Sequence, residues 1–249
     1  MKRFYVILVI LFTVSAGLFS QVLPSLNRSL ADKHPNAFNQ GSYFKMDSVK
    51  NGLVYKDYYS NKKPYSEVEY LISKNKETGK PDTIANGKTR VWYKNGGLKF
   101  DLNYENRMFT GIIKSYWENG KLKRKDVYLR DSLISGACFD STGVEIKHFP
   151  FSVMPEFNGG ERALMRFLSS RLMYPFNAQR LGIQGRVILQ FVVAVDGEIS
   201  DIRIVRKVND ELDQEAIRVV KSMPRWKPGL IENEPVRVYF TLPIYFKLA

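Results

Sequence analysis

From Pro235 to Leu248 the chain alternates strictly between two kinds of residue. Val236, Val238, Phe240, Leu242, Ile244, Phe246 and Leu248 are apolar, while Arg237, Tyr239, Thr241, Pro243, Tyr245 and Lys247 fall between them. A period of two is that of a β-strand with one buried face. Pro243 has no backbone N–H to give to a sheet ladder, so the strand is expected at an edge, at least past Thr241. An edge strand keeps one row of backbone groups open, and another chain can pair with them. Proline and charge also protect edges from aggregation, so Pro243, Arg237 and Lys247 fit a simple closing strand as well.

The residues before this strand predict a small α+β unit. After Pro155–Glu161, Leu164, Phe167, Leu168 and Leu172 fall on one helical face, and Tyr174-Pro175 ends the helix. A short polar turn with Ala178, Leu181 and Ile183 follows. Arg186–Val195 is β-branched and apolar on both faces, Asp196-Gly197 supplies hairpin chemistry, and a return strand is expected near Ile199–Val208. Asp210 is the expected cap of a second helix carrying Leu212, Ala216, Val219, Val220 and Met223, which Pro224 ends.

These residues resemble a known family. Gly159-Gly160-Glu161, Tyr174-Pro175, Leu181–Val187, Asp196–Ile199, Leu212–Ala216, Trp226–Gly229 and Thr241–Ile244 stand in the order seen in the TonB C-terminal domain. The resemblance runs from about Phe149 to Ala249. It implies a periplasmic domain with helices packed on a three-stranded antiparallel sheet, which binds outer-membrane TonB-dependent receptors by β-strand addition. It further implies energy-dependent transport driven through an inner-membrane proton-channel complex. The candidate binding surface is Val236, Arg237, Val238, Tyr239, Phe240, Thr241, Leu242, Ile244 and Tyr245, with Arg186 and Arg203 as charged neighbours. A long terminal strand also leaves a domain-swapped homodimer open to the chain.

At the other end, Lys2 and Arg3 precede the apolar run Phe4–Phe19, which is shorter than the roughly 20 residues of a spanning helix. The run predicts a signal peptide over residues 1–20, cleaved near Ser20-Gln21, or an inner-membrane anchor if retained. Either places the protein in the periplasm or cell envelope. The run carries only Thr13 and Ser15 as polar residues, and no Pro-rich spacer follows it. A second reading is therefore an exported binding or scaffold protein uncoupled from the proton gradient.

Between the ends lies a repeat. Gly87–Leu98 and Gly111–Leu122 align without a gap, Gly on Gly and Asn-Gly on Asn-Gly. Gly136–Gly143 is a shortened third copy and Gly52–Asn61 a first. Each unit reads as strand, Asn-Gly turn, strand, and such units stack because none buries its apolar face alone. They resemble MORN-type repeats. Trp92, Tyr93, Tyr116 and Trp117 recur at equivalent positions, as the stacking residues of a thin β array, or as a ligand or lipid surface. Such an array would also serve as a stiff spacer. The expected organisation is a lead-in over 21–48, an all-β repeat array over 49–149 and the α+β domain over 150–249.

The net charge of +13 sits mostly on the repeats, but no nucleic-acid module accompanies it. Cys138 is the sole cysteine, so no internal disulfide forms. His34 and His148 are the only histidines, and Cys138 with His148 is the one nucleophile-base couple on offer. Without a phosphate loop or a metal-ligand cluster, the sequence points away from an enzyme and to no cofactor or metal.

Overall fold

The computed structural model describes residues 44–49, 52–74 and 81–248. The expected signal peptide and most of the lead-in lie outside these residues. The chain divides between Phe149 and Pro150 into two compact units.

The first unit is one antiparallel sheet of ten strands. These are β1 (Phe44–Val49), β2 (Gly52–Tyr58), β3 (Pro64–Lys74), β4 (Pro81–Trp92), β5 (Leu98–Glu105), β6 (Met108–Phe109), β7 (Gly111–Tyr116), β8 (Leu122–Leu129), β9 (Ser132–Phe139) and β10 (Glu145–Ile146). They pair in chain order, except that β6 folds back on β5 and β5 pairs onward with β7. β1 corrects the expected lead-in: its six residues pair with β2 where a structureless segment was expected up to Ser48.

The repeat acts through its turns. Tyr59–Lys63, Tyr93–Gly97, Trp117–Lys121 and Asp140–Val144 share one geometry, in which the first N–H donates to the fifth carbonyl and the fourth N–H to the first carbonyl. The fourth residue is left-handed in each copy: Lys62 (φ 65), Gly96 (φ 96), Gly120 (φ 81) and Gly143 (φ 97). Glycine tolerates this conformation without steric cost, which explains the recurring Asn-Gly.

The asparagine does two jobs. Asn95 Oδ1 accepts from Gly97 N at 2.8 Å and Asn119 Oδ1 from Lys121 N at 3.0 Å, closing each turn. Their amide groups reach forward, Asn95 to the Glu118 carbonyl at 3.2 Å and Asn119 to the Ser141 carbonyl at 2.9 Å. The turn aromatics make the same step: Tyr59 donates to the Trp92 carbonyl, Tyr93 to Tyr116 and Trp117 to Phe139, at 2.7, 2.8 and 3.0 Å. Tyr93 and Trp117 thus join units by hydrogen bonds while staying half-buried, and Trp92 and Tyr116 are half-buried too. The buried face is built instead from Val68, Val91, Phe100, Leu102 and Ile113, with Tyr104, Phe109 and Tyr128 in ring contact.

Toward β8 that face becomes ionic. Arg124 and Asp126 are both fully buried and pair at 2.6 Å. Arg124 also donates to the Phe149 carbonyl at 2.7 Å, and His148 Nε2 lies 2.9 Å from Asp126 Oδ1. His148 is thus engaged with Asp126, while Cys138 is wholly buried.

The second unit comprises β11 (Ser152–Val153), α1 (Gly160–Arg171), α2 (Phe176–Arg180), β12 (Gly185–Val193), β13 (Ile199–Arg206), α3 (Asp210–Lys221), β14 (Gly229–Ile231), β15 (Glu234–Val236) and β16 (Val238–Phe246). The helices pack on a three-stranded sheet of order β13-β12-β16, all antiparallel. Leu164, Leu168 and Leu172 near α1 and Leu212, Ala216, Val219 and Val220 of α3 meet Val187, Leu189 and Phe191 of β12 and Phe240, Leu242 and Ile244 of β16. Burying each large side chain contributes about 1.5–3 kcal/mol. Trp226 closes one end of this core, 4.8 Å from Phe240, 5.5 Å from Phe191 and 5.7 Å from Phe157 between ring centroids.

Three expectations are corrected here. The cap of α3 is Asn209, whose Oδ1 accepts from Leu212 N at 3.0 Å; Asp210 is the first helical residue. The turn after Tyr174-Pro175 is the helix α2, held by Glu211, which accepts from Ala178 N at 3.0 Å. The run from Pro235 is two strands: β15 pairs with β14 in a small sheet of order β11-β14-β15, and the chain changes partner at Arg237.

Candidate functional site: the edge strand β16

β16 is the outer strand of its sheet, as Pro243 predicts. It pairs with β12 through nine consecutive residues, from Val238 against Val193 to Phe246 against Gly185, with no shift of register. The opposite edge, β13, has two register shifts against β12 and exposes Asp201, Arg203, Val205 and Arg206. Irregularity and charge make β13 a poor template for another strand, whereas β16 pairs with β12 without a bulge and carries no charge within its span.

The alternation in β16 sorts the proposed binding residues. Phe240, Leu242 and Ile244 are buried in the core shared with the helices and Val238 is buried beside Gly229, so only their backbone is open to a partner. Val236 is also buried and lies in β15. Arg237 sits between the two strands and pairs with Asp201. Tyr239, Thr241, Pro243 and Tyr245 are half-exposed on the other face.

Arg186 and Arg203 join that second face. The Arg186 guanidinium donates to Tyr245 Oη at 3.2 Å and lies 5.7 Å from the ring centroid. Arg203 Nε donates to Gln190 Oε1 at 3.0 Å, and its guanidinium lies 5.9 Å from the Tyr239 ring centroid. Gln190 in turn donates to Thr241 Oγ1 at 3.4 Å. Arginine and tyrosine are enriched where proteins bind partners, since both bring large area with directed polar groups. Gln190 was missed by the sequence reading, although it is the one polar residue between Val187 and Val195.

The fold and this edge define a class: a small α+β module whose regular edge strand has no strand on its outer side among the described residues and lies beside an arginine-tyrosine face. Residues 170–248 match the family described as Gram-negative bacterial TonB protein C-terminal, and residues 85–106 and 109–129 match the MORN repeat variant. The second unit is thus a TonB C-terminal domain, and MORN-type repeats precede it. The chain is 33% identical over 82 residues to "Protein TonB" of Helicobacter pylori, covering 32% of this chain and 28% of that protein. It is 30% identical over 76 residues to "Protein TonB" of Pseudomonas aeruginosa, covering 30% and 22%. It therefore spans less than a third of the length of these relatives. An NMR solution structure of Helicobacter pylori TonB-CTD matches 34% of this chain and 90% of its own at 30% identity, with a TM-score of 0.28. Among the described residues no helix is long and apolar enough to cross a membrane.

Proposed function

We propose that this is a TonB-like protein of the periplasm that binds outer-membrane receptors by adding a receptor segment to β16, and so takes part in energy-dependent transport. The observation that carries this reading is the uninterrupted nine-residue register of β16 at an open edge. Main-chain pairing is indifferent to most side chains, so one such edge serves many receptors. The role is one of binding, with no chemistry at the site. Coupling to an inner-membrane proton channel belongs to the same proposal.

Amide hydrogen exchange of the full chain, with and without the periplasmic segment of a candidate receptor, tests it. Strand addition is expected to slow exchange along β16 and leave β13 unchanged. Unchanged exchange along β16 with every receptor segment tried would sink the reading. The exported scaffold uncoupled from the gradient is distinguished by co-purification: a TonB-like transducer is expected to bring down an inner-membrane complex, and a scaffold is not.

A further inference from the structure

We infer that the segment added to β16 carries two carboxylate side chains six residues apart, one for Arg186 and one for Arg203. The inference rests on the strand-addition reading and adds to it the chemistry of the partner. Neither arginine is paired with a carboxylate among the described residues; the nearby Asp201 is held by Arg237. Both arginines instead lean toward the edge strand. Arg186 stands against Tyr245, its register partner on β16. Arg203 starts two strands away, on β13, yet its guanidinium reaches the Tyr239 ring.

Tyr239 and Tyr245 lie on one face of β16, six residues and about 20 Å apart at the strand rise. A strand paired beside β16 lies about 4.8 Å away, and its alternate side chains stand next to these tyrosines. Its residues i and i+6 therefore fall beside the two tyrosines, and an acidic side chain at each would reach across the ring toward the guanidinium on its inner side. A planar guanidinium has five donors and matches a carboxylate in two bonds. Between the two positions Thr241 and Gln190 offer only neutral hydrogen-bonding groups. Two cations held at strand spacing with a neutral stretch between them suit an extended peptide better than a lipid surface, whose headgroups impose no such interval.

The test uses the full chain and three nine-residue peptides of alternating Thr and Val: Glu at positions 2 and 8, Glu at 2 and 7, and Lys at 2 and 8. Affinity is read by titration calorimetry and placement by amide exchange along β16. The 2,8-Glu peptide is expected to bind roughly threefold to tenfold tighter than the Lys peptide, the range of two partly exposed ion pairs. The 2,7-Glu peptide should fall between them, because its second carboxylate points to the opposite face. In the double variant Arg186→Glu, Arg203→Glu the order should reverse. Equal affinities for all three peptides, with β16 protected by each, would overturn the carboxylate spacing and leave strand addition standing. Absence of β16 protection by any peptide would overturn strand addition itself. Protection of this face by phosphatidylglycerol vesicles but not by the 2,8-Glu peptide would reassign the arginines to lipid.

Discussion

Gly197 shows how one residue can hold two ends of a domain. It is left-handed (φ 82) and closes the β12-β13 turn, where its N–H donates to the Ala194 carbonyl at 2.9 Å. Its carbonyl accepts from Trp226 N at 2.9 Å, and a Cβ here would stand 1.9 Å from the Trp226 carbonyl oxygen. Gly197→Ala therefore strains the turn and displaces the tryptophan that closes the core. A loss of about 2 kcal/mol or more is expected, read by urea unfolding followed on tryptophan fluorescence. The Asp196-Gly197 pair was legible in the sequence as a turn, but its contact with Trp226 was not, since nothing local links positions so far apart. Asn209 and Asp210 make the same point: both carry acceptors suited to a cap, and only the backbone entry angle selects the first.

At the scale of elements, the array is held by contacts from turn to turn. Asn119→Ala removes both the bond closing its own turn and the bond to Ser141, and is expected to cost about 1–2 kcal/mol in thermal unfolding. Asn119→Asp keeps the closing acceptor and loses only the forward donor, so it should cost about half as much. The last turn carries Asp140 in the aromatic position. Its carboxylate accepts from Thr142 Oγ1 and from the N–H groups of Thr142, Gly143 and Val144. These bonds, that from the Thr142 hydroxyl first, hold its pKa below the ordinary carboxylate value. A depressed folded pKa adds stability that is complete above the unfolded value and is lost as pH falls through the folded one. Amide exchange in Asp140–Val144 is thus expected to quicken in acid, below the usual carboxylate range, before the other three turns respond. Elements with a long period were readable from sequence: β16, α1 and α3 stand close to where alternation and helical spacing put them. β11, β14 and β15 have two or three residues each, too few to show a period. The change of partner at Arg237 was hidden because Val236 and Val238 are both buried, so the alternation runs on across the break.

At the scale of the whole molecule, each unit has its own buried core. We therefore expect residues 150–249 to fold as a fragment, with dispersed amide resonances and cooperative unfolding; a broad, uncooperative transition would show that the repeats complete it. The candidate site was legible as an edge strand with two arginines nearby, while the way those arginines reach the tyrosines required the register of three strands. The forward bonds of the turns carry one more consequence. Each matched unit of the array presents to the one before it the same kind of acceptors that it finds in the next, so an extra unit inserted between two others leaves both junctions satisfied. With two strands per unit, about 4.8 Å apart, duplication or loss of a repeat would lengthen or shorten the array itself in steps of about 10 Å.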